Sequence, residues 1–544
     1  MTHLSRRDST SLLGSLFAIL LLWIPLDAAE KAPQPRKPNI VFAFADDYGR
    51  YASAYAGHEA KPGVNSLIRT PNIDSVASAG VLFLNAHVSS PSCTPCRSSL
   101  LSGRHFWQTG RGAILSGAVW DETIPSFPLL LRDAGYHIGK SHKVWSPGAP
   151  RDAPFGGQKH AYESSGNALN QFSQNVTRAV QGGVPLEQAK EKLYAQVRGN
   201  FRKFLDARHG SEPFCYWFGP THTHREWERG SGKALWGIDP DQLKGRLPAF
   251  LPDVPEIRED FADYLGECLA FDAYVGILTD ELKQRGEWEN TLFAISGDHG
   301  APGFTHGKCN LYDFGTSVAL AISGPGISGG RVVSDFVSLP DLAPTFLDAG
   351  GVEVPSSMSA KSLLPLLQSG KSGQVDPERD FVITGRERHV DAARAGNLPY
   401  PQRAIRTDSH LYIINFEPDR SPTGDRIPPK MPDKQATLQQ LLHDSRATYP
   451  DMDAGPTKAW LYGNRENPQW EKEVAMAFGR RPAEELYQIA DDPHQVRNLA
   501  GDPAHAAIQQ QLRSRLLATL QETGDPRVSG DRMTFERLPF TSSR

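Results

Sequence analysis

The sequence predicts an α/β fold with a large central mixed sheet that is flanked by helices. Three apolar runs rich in β-branched and aromatic residues begin at Asn39, Phe214 and Thr291, and such runs are typical of strands buried on both faces. Helical patterns alternate with these runs along the chain. A protein built from one all-α half and one all-β half would not show this alternation. The first and third runs end at Asp46 and Asp298, which indicates a site at the carboxyl edge of the sheet.

Helices are predicted where capping residues precede an amphipathic pattern. Residues 70–80 have capping residues, an amphipathic turn and a terminal glycine, and residues 126–135 have a serine cap, an apolar run and an Ala-Gly end. Residues 136–139, directly after the second of these helices, predict another strand. A longer helix is predicted in residues 261–285, where apolar residues recur at helical spacing opposite a run of charges.

The pattern changes after about residue 375, which predicts a small C-terminal α+β subdomain with an antiparallel sheet. Residues 403–416 contain two alternating strands around turn residues, the pattern of a hairpin. Residues 421–432 are rich in Pro, Asp and Gly and predict an irregular loop, and residues 508–520 predict a final amphipathic helix. We therefore expect a main domain in residues 30–375 and the subdomain in residues 376–544.

The N-terminus predicts an export signal peptide in residues 1–29. Arg6 and Arg7 precede an apolar run over residues 12–26, and small residues suited to cleavage follow. The run is too short to span a bilayer, so a membrane anchor is the less favoured interpretation. We expect an exported protein, periplasmic, extracellular or lysosome-like, with no stable membrane span after cleavage. The route, general secretory or twin-arginine, stays open.

Charge and cysteine usage exclude two classes of protein. The formal net charge of -4 argues against a nucleic-acid partner, while 39% hydrophobic and 22% charged residues are typical of a globular chain. Five cysteines leave at least one unpaired in an exported protein, so the chain is not a disulfide scaffold.

The stretch Pro91 to Leu100, PSCTPCRSSL, has two interpretations. Cys93 and Cys96 match the spacing of a dithiol redox motif, but the motif lies deep in a large chain and lacks the aromatic residues that usually precede it. A zinc site would need a second closely spaced pair of ligands, and the other cysteines are isolated. The same stretch also reads Cys-x-Pro-x-Arg, with Arg97 four residues after Cys93.

This second pattern resembles the signature of the type I sulfatases, in which that cysteine is oxidised to formylglycine. Other segments resemble elements of the same family in the same order, from about residue 37 to about residue 525. They are the opening strand at 39–47, Gly139-Lys140-Ser141-His142, Ser296 to Gly300, Thr305 to Lys308, and the Leu-Tyr and Asp-Pro segment at 485–500. The resemblance implies an alkaline-phosphatase-like sandwich and hydrolysis of sulfate groups, with a formylglycine-generating enzyme as maturation partner.

The resemblance also implies a role for each matching residue. A divalent cation, with calcium expected, would be held beside Cys93 by Asp46, Asp47, Asp298 and His299; imidazole at position 299 leaves magnesium and manganese open. The residues implied in catalysis are the modified Cys93 as nucleophile, Arg97 to fix it, Lys140 and Lys308 to bind sulfate, His142 to accept a proton, and His222 to protonate the leaving group. His224 competes with His222 for that role, and His306 competes with Lys308 for sulfate.

The expected partner is a sulfated oligosaccharide or polysaccharide. Three segments, 308–316, 337–348 and 401–416, look most like the N-sulfoglucosamine sulfohydrolase (heparan N-sulfatase) branch, which cleaves N-sulfate from glucosamine in heparin or heparan fragments. Arg403, Arg406 and His410 are predicted contacts to the sugar at the rim of the pocket.

Three alternatives stay open at this point. One is a sulfatase that acts on a different, O-sulfated polysaccharide. Another is a protein that binds sulfated glycans but is inactive, because its Cys93 is never oxidised. The third, a phosphatase or phosphodiesterase of the same superfamily, would carry Ser or Thr at position 93, so the cysteine argues against it.

Overall fold

The computed structural model describes residues 36–59, 63–429 and 436–542. The predicted signal peptide lies outside the described residues, and the described residues from Lys37 onward form one compact unit. Within the described ranges, no helix has both the length and the apolar character needed to cross a bilayer.

The larger sheet has seven strands in the described chain. In chain order they are β1 Asn39–Ala45, β2 Val81–His87, β3 His137–His142, β4 Phe214–Gly219, β5 Thr291–Gly297, β6 Leu320–Ser323 and β7 Arg331–Ser338. Their spatial order is β3-β4-β1-β5-β6-β2-β7. Strand β6 runs antiparallel to both of its neighbours, whereas the other adjacent strands pair in parallel. The sheet is therefore mixed, as predicted.

The described part of the chain contains helices on both faces of this sheet and others that pack elsewhere. The helices are α1 Pro71–Ala79, α2 Cys93–Ser102, α3 Phe127–Asp133, α4 Phe172–Gln181, α5 Leu186–Asp206, α6 Ser231–Trp236, α7 Pro255–Gln284, α8 Asp313–Thr316, α9 Leu342–Ala349, α10 Leu364–Gln368, α11 Leu438–His443, α12 Pro456–Gly463, α13 Glu471–Phe478 and α14 Ala506–Glu522. Side chains alternate along β1: Val41 and Ala43 join a core with α5 and α7, while Ile40 and Phe42 join a core with α2, α3 and α9. Two packed cores around one sheet make an α/β sandwich.

A second, four-stranded sheet lies entirely after residue 376. Its strands are β8 Phe381–Arg386, β9 Gln402–Thr407, β10 His410–Asn415 and β11 Glu484–Gln488, in the order β11-β10-β9-β8. All of its pairs are antiparallel, and β9 and β10 form the predicted hairpin. One face packs on α14 through Leu512 and Leu516. The fold class is confirmed, and the boundary at residue 375 stays a prediction.

The predicted helices are present with shifted bounds. The helix predicted at residues 261–285 is α7, which begins earlier, at Pro255. Its first turn mixes exposed Glu256 with buried Ile257, so the helical periodicity is weak there, and the proline supplies the start. Residues 421–429 form no helix or strand, and the rest of that predicted loop extends beyond the described residues.

The sheet topology positions the site. Strands β1 and β5 are parallel neighbours with Ala45 opposite Gly297, so both strands end at the same edge. The residues that follow them therefore emerge side by side, as the sequence predicts.

Candidate active site

Two acidic turns lie side by side where β1 and β5 end. The backbone N–H of Asp47 donates to Oδ1 of Asp298 at 2.7 Å, which ties the two turns together. Nε2 of His299 lies 3.2 Å from Oδ1 of Asp47 and 3.6 Å from Oδ1 of Asp298. These three side chains are fully buried, so their charges act through a medium that screens weakly.

Cys93 is the first residue of α2 and faces this cluster. Its Sγ lies 3.5 Å from Nε2 of His299 and 3.8 Å from Oδ1 of Asp47. One ligand atom from each of Asp47, Cys93, Asp298 and His299 falls within 4.8 Å of the others. All five cysteines, Cys96 included, are buried and free of disulfides within the described ranges, which does not favour the dithiol interpretation.

Arg97 holds the two acidic turns against α2. Its guanidinium is fully buried, with Nε 2.9 Å from Oδ2 of Asp298 and Nη2 3.1 Å from Oδ1 of Asp46. Two further hydrogen bonds run to the carbonyls of Lys143 and Val144. Arg97 thus fixes the carboxylates beside Cys93.

Two lysines flank Cys93. Nζ of Lys308 lies 3.0 Å from Oδ2 of Asp47, and Nζ of Lys143 lies 2.7 Å from Oδ1 and Oδ2 of Asp46. Burial raises the pKa of the Cys93 thiol well above its ordinary value, and Asp46 adds to this, while Lys143 and Lys308 oppose it. The placement of Lys308 agrees with the sequence prediction, whereas the sequence reasoning missed Lys143. Its position directly after the end of β3, like that of Asp46 after β1, was the available signal.

Burial and the neighbouring charges shift the pKa values of two acids of the site in opposite directions. Burial opposes ionisation of Asp46, but Lys143 and Arg97 lower its pKa well below the ordinary value. For Asp298, burial raises the pKa, and His299 and Arg97 only partly oppose that effect. An added cation would favour the ionised form of Asp298.

The structure pairs Lys140 with acids other than those beside Cys93, so its ammonium does not join the cluster. The Lys140 ammonium is fully buried and pairs with Asp152 at 3.0 Å and Glu163 at 3.1 Å. The backbone of His142 has a φ of 67°, so the extended pattern of β3 stops there and the following residue reaches Asp46. The predicted motif does contain a lysine, Lys140. The lysine whose ammonium contacts Asp46 is Lys143, three residues later in the chain.

His224, not His222, lies at the cluster. Nε2 of His222 is 3.1 Å from the carbonyl of Glu267 in α7, and burial lowers its pKa to about 3, so the ring is neutral and faces the helix. Nε2 of His224 lies 3.9 Å from Oδ2 of Asp47, and Nδ1 is 2.6 Å from the Arg225 carbonyl. Because a carbonyl only accepts, Nδ1 of His224 is the donor there and Nε2 is left to face the site.

His306 does not compete with Lys308. Its ring is buried between Tyr312 and Phe250, with ring centroids 3.7 Å and 4.6 Å away. Burial lowers the pKa of His306 well below its ordinary value, so the ring packs as a neutral aromatic group. The structure does not bring this ring to the cluster.

The predicted rim residues lie elsewhere as well. Arg403 is fully buried and pairs with Glu387 at 2.9 Å and Asp525 at 2.5 Å. Arg406 pairs with Asp313 and lines a cavity of about 430 Å³ that none of the cluster residues lines. His410 lies at the β9–β10 turn and bonds Ser409. The structure brings none of these three side chains to the Cys93 cluster.

The segment after residue 376 does supply two groups to the site. Oδ2 of Asp453 lies 3.4 Å from Nζ of Lys308, and Nδ1 of His389 lies 2.8 Å from Oγ of Ser92, the neighbour of Cys93. Sequence reasoning missed both residues, since neither follows a recognisable strand end or motif. Only long-range packing brings them to the cluster.

Comparison with known proteins identifies relatives over most of the chain. The chain is 29% identical over 524 residues to the N-sulphoglucosamine sulphohydrolase of Homo sapiens, covering 91% of this chain and 92% of that protein. It is 24% identical over 521 residues to an ulvan-active sulfatase of Formosa agariphila, covering 91% and 77%.

Solved structures share the fold. A protein in complex with its substrate D-glucosamine-2-N,6-O-disulfate matches with a TM-score of 0.57 at 19% identity, over 90% of this chain and 99% of that one. The phosphonate monoester hydrolase of Agrobacterium radiobacter matches with a TM-score of 0.59 at 18% identity, over 89% and 96%. The sulfatase family model matches residues 38–352, which is more than half of the 544 residues. The chain therefore belongs to the sulfatase family and is a sulfatase hydrolase.

Proposed function

We propose that this sulfatase removes sulfate groups from sulfated carbohydrates, with a nucleophile derived from Cys93 and a divalent cation. The observation that carries the proposal is the convergence of Asp47, Asp298 and His299 on Cys93, with Lys143 and Lys308 on either side. Sulfate hydrolysis places negative charge on the outer oxygens around sulfur, so fixed positive groups beside the nucleophile stabilise the transition state.

The donor set fits a hard cation. Nδ1 of His299 donates to the Gly300 carbonyl at 3.1 Å, so Nε2 is the ring atom that faces the oxygens of Asp47 and Asp298. One imidazole nitrogen and several carboxylate oxygens thus converge as ligand atoms. Asp46, Asp47, Asp298 and His299 would hold calcium, which would supply positive charge to the sulfate oxygens.

Oxidation of Cys93 to formylglycine by a formylglycine-generating enzyme would supply a hydrated aldehyde, with one hydroxyl to attack sulfur and a second to expel sulfate. The remaining tasks fall to side chains of this chain. Lys143 and Lys308 bind sulfate oxygens as point charges, and Arg97 holds Asp46 and Asp298 in place. Nδ1 of His224 donates to the Arg225 carbonyl, so the second proton of the protonated ring lies on Nε2, near the cluster; the ring gives this proton to the leaving group and becomes neutral.

N-sulfated glucosamine of heparin or heparan type is the proposed substrate. The human relative is named for N-sulphoglucosamine, and one structural neighbour is bound to D-glucosamine-2-N,6-O-disulfate. The second candidate substrate is an O-sulfated polysaccharide, because the ulvan-active sulfatase is similar over 91% of this chain. Export through the signal predicted in residues 1–29 is part of the proposal.

Peptide mass spectrometry across Cys93 tests the nucleophile. Protein made with a formylglycine-generating enzyme should show a loss of about 18 Da at Cys93 and release sulfate from D-glucosamine N-sulfate, and Cys93→Ala should be folded and inactive. Release from O-sulfated sugars alone would favour the second candidate. An unmodified thiol together with glycan binding and no turnover would instead support the inactive binding protein.

A further inference from the structure

His224 and Asp453 are the most exposed side chains beside the cluster. The side chains of Arg97, Asp47 and Asp298 have no exposed surface and that of Lys143 is 11% exposed, whereas that of His224 is 35% exposed and that of Asp453 is 15% exposed. His224 lies near Asp47, and Asp453 lies near Lys308. These two side chains are therefore the neighbours of Cys93 that are most accessible to a substrate.

Asp453 is coupled directly to the cluster. Its Oδ2 lies 3.4 Å from Nζ of Lys308, which also contacts Oδ2 of Asp47 at 3.0 Å. Burial opposes ionisation of Asp453, but Lys308, and after it His224 and His389, lower the pKa of its carboxyl below the ordinary value. The group is a carboxylate with three positive or titratable neighbours.

The segment that carries Asp453 is held rigidly. Lys458 donates to the carbonyls of Ser445, Tyr449 and Met452, at 2.6 Å for the last of these. A second anchor is Asp451, whose carboxylate pairs with Arg386 at 2.9 Å and Arg394 at 2.7 Å. The ion pairs of Asp451 and the hydrogen bond from Lys458 to the Met452 carbonyl therefore fix the backbone next to Asp453 before substrate arrives.

A carboxylate repels sulfate oxygens, which Lys143 and Lys308 attract instead. Asp453 must therefore face the part of the substrate that leaves after the sulfate bond breaks. We propose, resting on the proposed function, that Asp453 is a specificity-determining residue that accepts hydrogen bonds from N–H and O–H donors of the leaving group. The site consequently selects sulfated sugars, amino sugars above all, over aryl sulfates, whose leaving group has no such donor beside the bond that breaks.

The first test compares two substrates. Asp453→Asn in the formylglycine-bearing enzyme should lower kcat/KM for D-glucosamine N-sulfate at least about thirtyfold, but that for 4-nitrophenyl sulfate less than about threefold, since a hydrogen bond to a charged group is lost only with the sugar. Asp419→Asn, at an exposed position, is the matched control and should leave both values unchanged. Equal losses on both substrates would overturn the proposal, because Asp453 would then act only through Lys308.

A second test does not depend on turnover. In the Cys93→Ala background, calorimetry should show D-glucosamine binding weakened at least about tenfold by Asp453→Asn, whereas inorganic sulfate binds as well or more tightly. If Asp453→Asn left glucosamine binding unchanged, Asp453 would not contact the leaving group, and the proposal would be overturned. Absence of turnover on every sugar, with glucosamine binding still dependent on Asp453, would reject the proposed function and leave this site standing.

Discussion

At the scale of single residues, Asp47 connects more of the site than any sequence pattern indicates. Its backbone N–H donates to Asp298, its carbonyl accepts from the hydroxyl of Tyr264 at 3.0 Å, and its carboxylate contacts Lys308 and His299. A φ of 57° places it in the left-handed region, which costs about 1 kcal/mol or more for a residue other than glycine. The surrounding contacts offset that strain and fix where the carboxylate points.

The same scale distinguishes the two lysines near the end of β3. Lys143→Ala should lower the kcat of the folded enzyme at least about a hundredfold, because a charge beside the reacting group is lost, and a fall in Tm should accompany it, because buried Asp46 loses one of its two cationic partners. Lys140→Met should instead destabilise the fold by about 3 kcal/mol, since Asp152 and Glu163 lose their partner, while the folded fraction stays active. Turnover assays and thermal melts measure both effects. The opposite result, an active Lys143→Ala and a stable but inactive Lys140→Met, would return the role to Lys140.

At the scale of elements, helix α7 ties the N-terminal part, the site and the C-terminal segment together. Asp272 accepts from the backbone N–H groups of Asn72 and Ile73 at the start of α1. Tyr264 contacts Asp47, and Asp260 pairs with Arg225 and accepts from Thr457. A helix with so many buried polar groups is stabilised by specific contacts and not by an apolar face alone.

One of these buried groups makes stability depend on pH. Burial raises the pKa of Glu267 in α7 from 4.5 to about 8. The folded protein thus prefers the neutral carboxyl, so this stability is complete below pH 4.5 and falls as pH rises toward 8. The free energy of unfolding should therefore fall between pH 5 and pH 8.5 in the unmodified chain. In Glu267→Gln this fall should be smaller by at least about 1.4 kcal/mol.

Urea unfolding at the two pH values measures the difference. The control is Glu256→Gln, which changes an exposed glutamate of the same helix. An identical pH dependence in Glu267→Gln and in the unmodified chain would show that the carboxyl is not held neutral.

At the scale of the whole molecule, the site is shared between the large sheet and the segment after residue 376. Asp46, Asp47 and Asp298 come from the edge of the sheet, while His389 and Asp453 come from the later segment. The proposed 376–544 subdomain would therefore complete the site and not merely flank it.

Removal of the cation should affect the whole molecule. EDTA should abolish turnover and lower Tm, and calcium should restore both, because it relieves the repulsion between the clustered carboxylates. In Asp298→Asn, calcium should raise Tm less than in the unmodified chain. Stronger recovery with magnesium or manganese would identify another ion, and a Tm insensitive to all three would contradict a metal site.

The sequence alone determined the α/β class, the mixed sheet and the acidic turns after β1 and β5. Buried strands have a local apolar signature, and parallel neighbours end at one edge, so Asp46 and Asp298 could be placed together without coordinates. The Cys-x-Pro-x-Arg pattern likewise placed Cys93 and Arg97, because residues four apart share one face of helix α2.

Only the tertiary structure decided which neighbouring lysines and histidines lie at the Cys93 cluster. The turn at His142 selects Lys143 over Lys140, and α7 takes His222 away while His224 stays at the cluster. Asp453 reaches Lys308 through contacts between residues far apart in sequence. Backbone turns and long-range packing set these directions, and neither leaves a periodic signal in the chain.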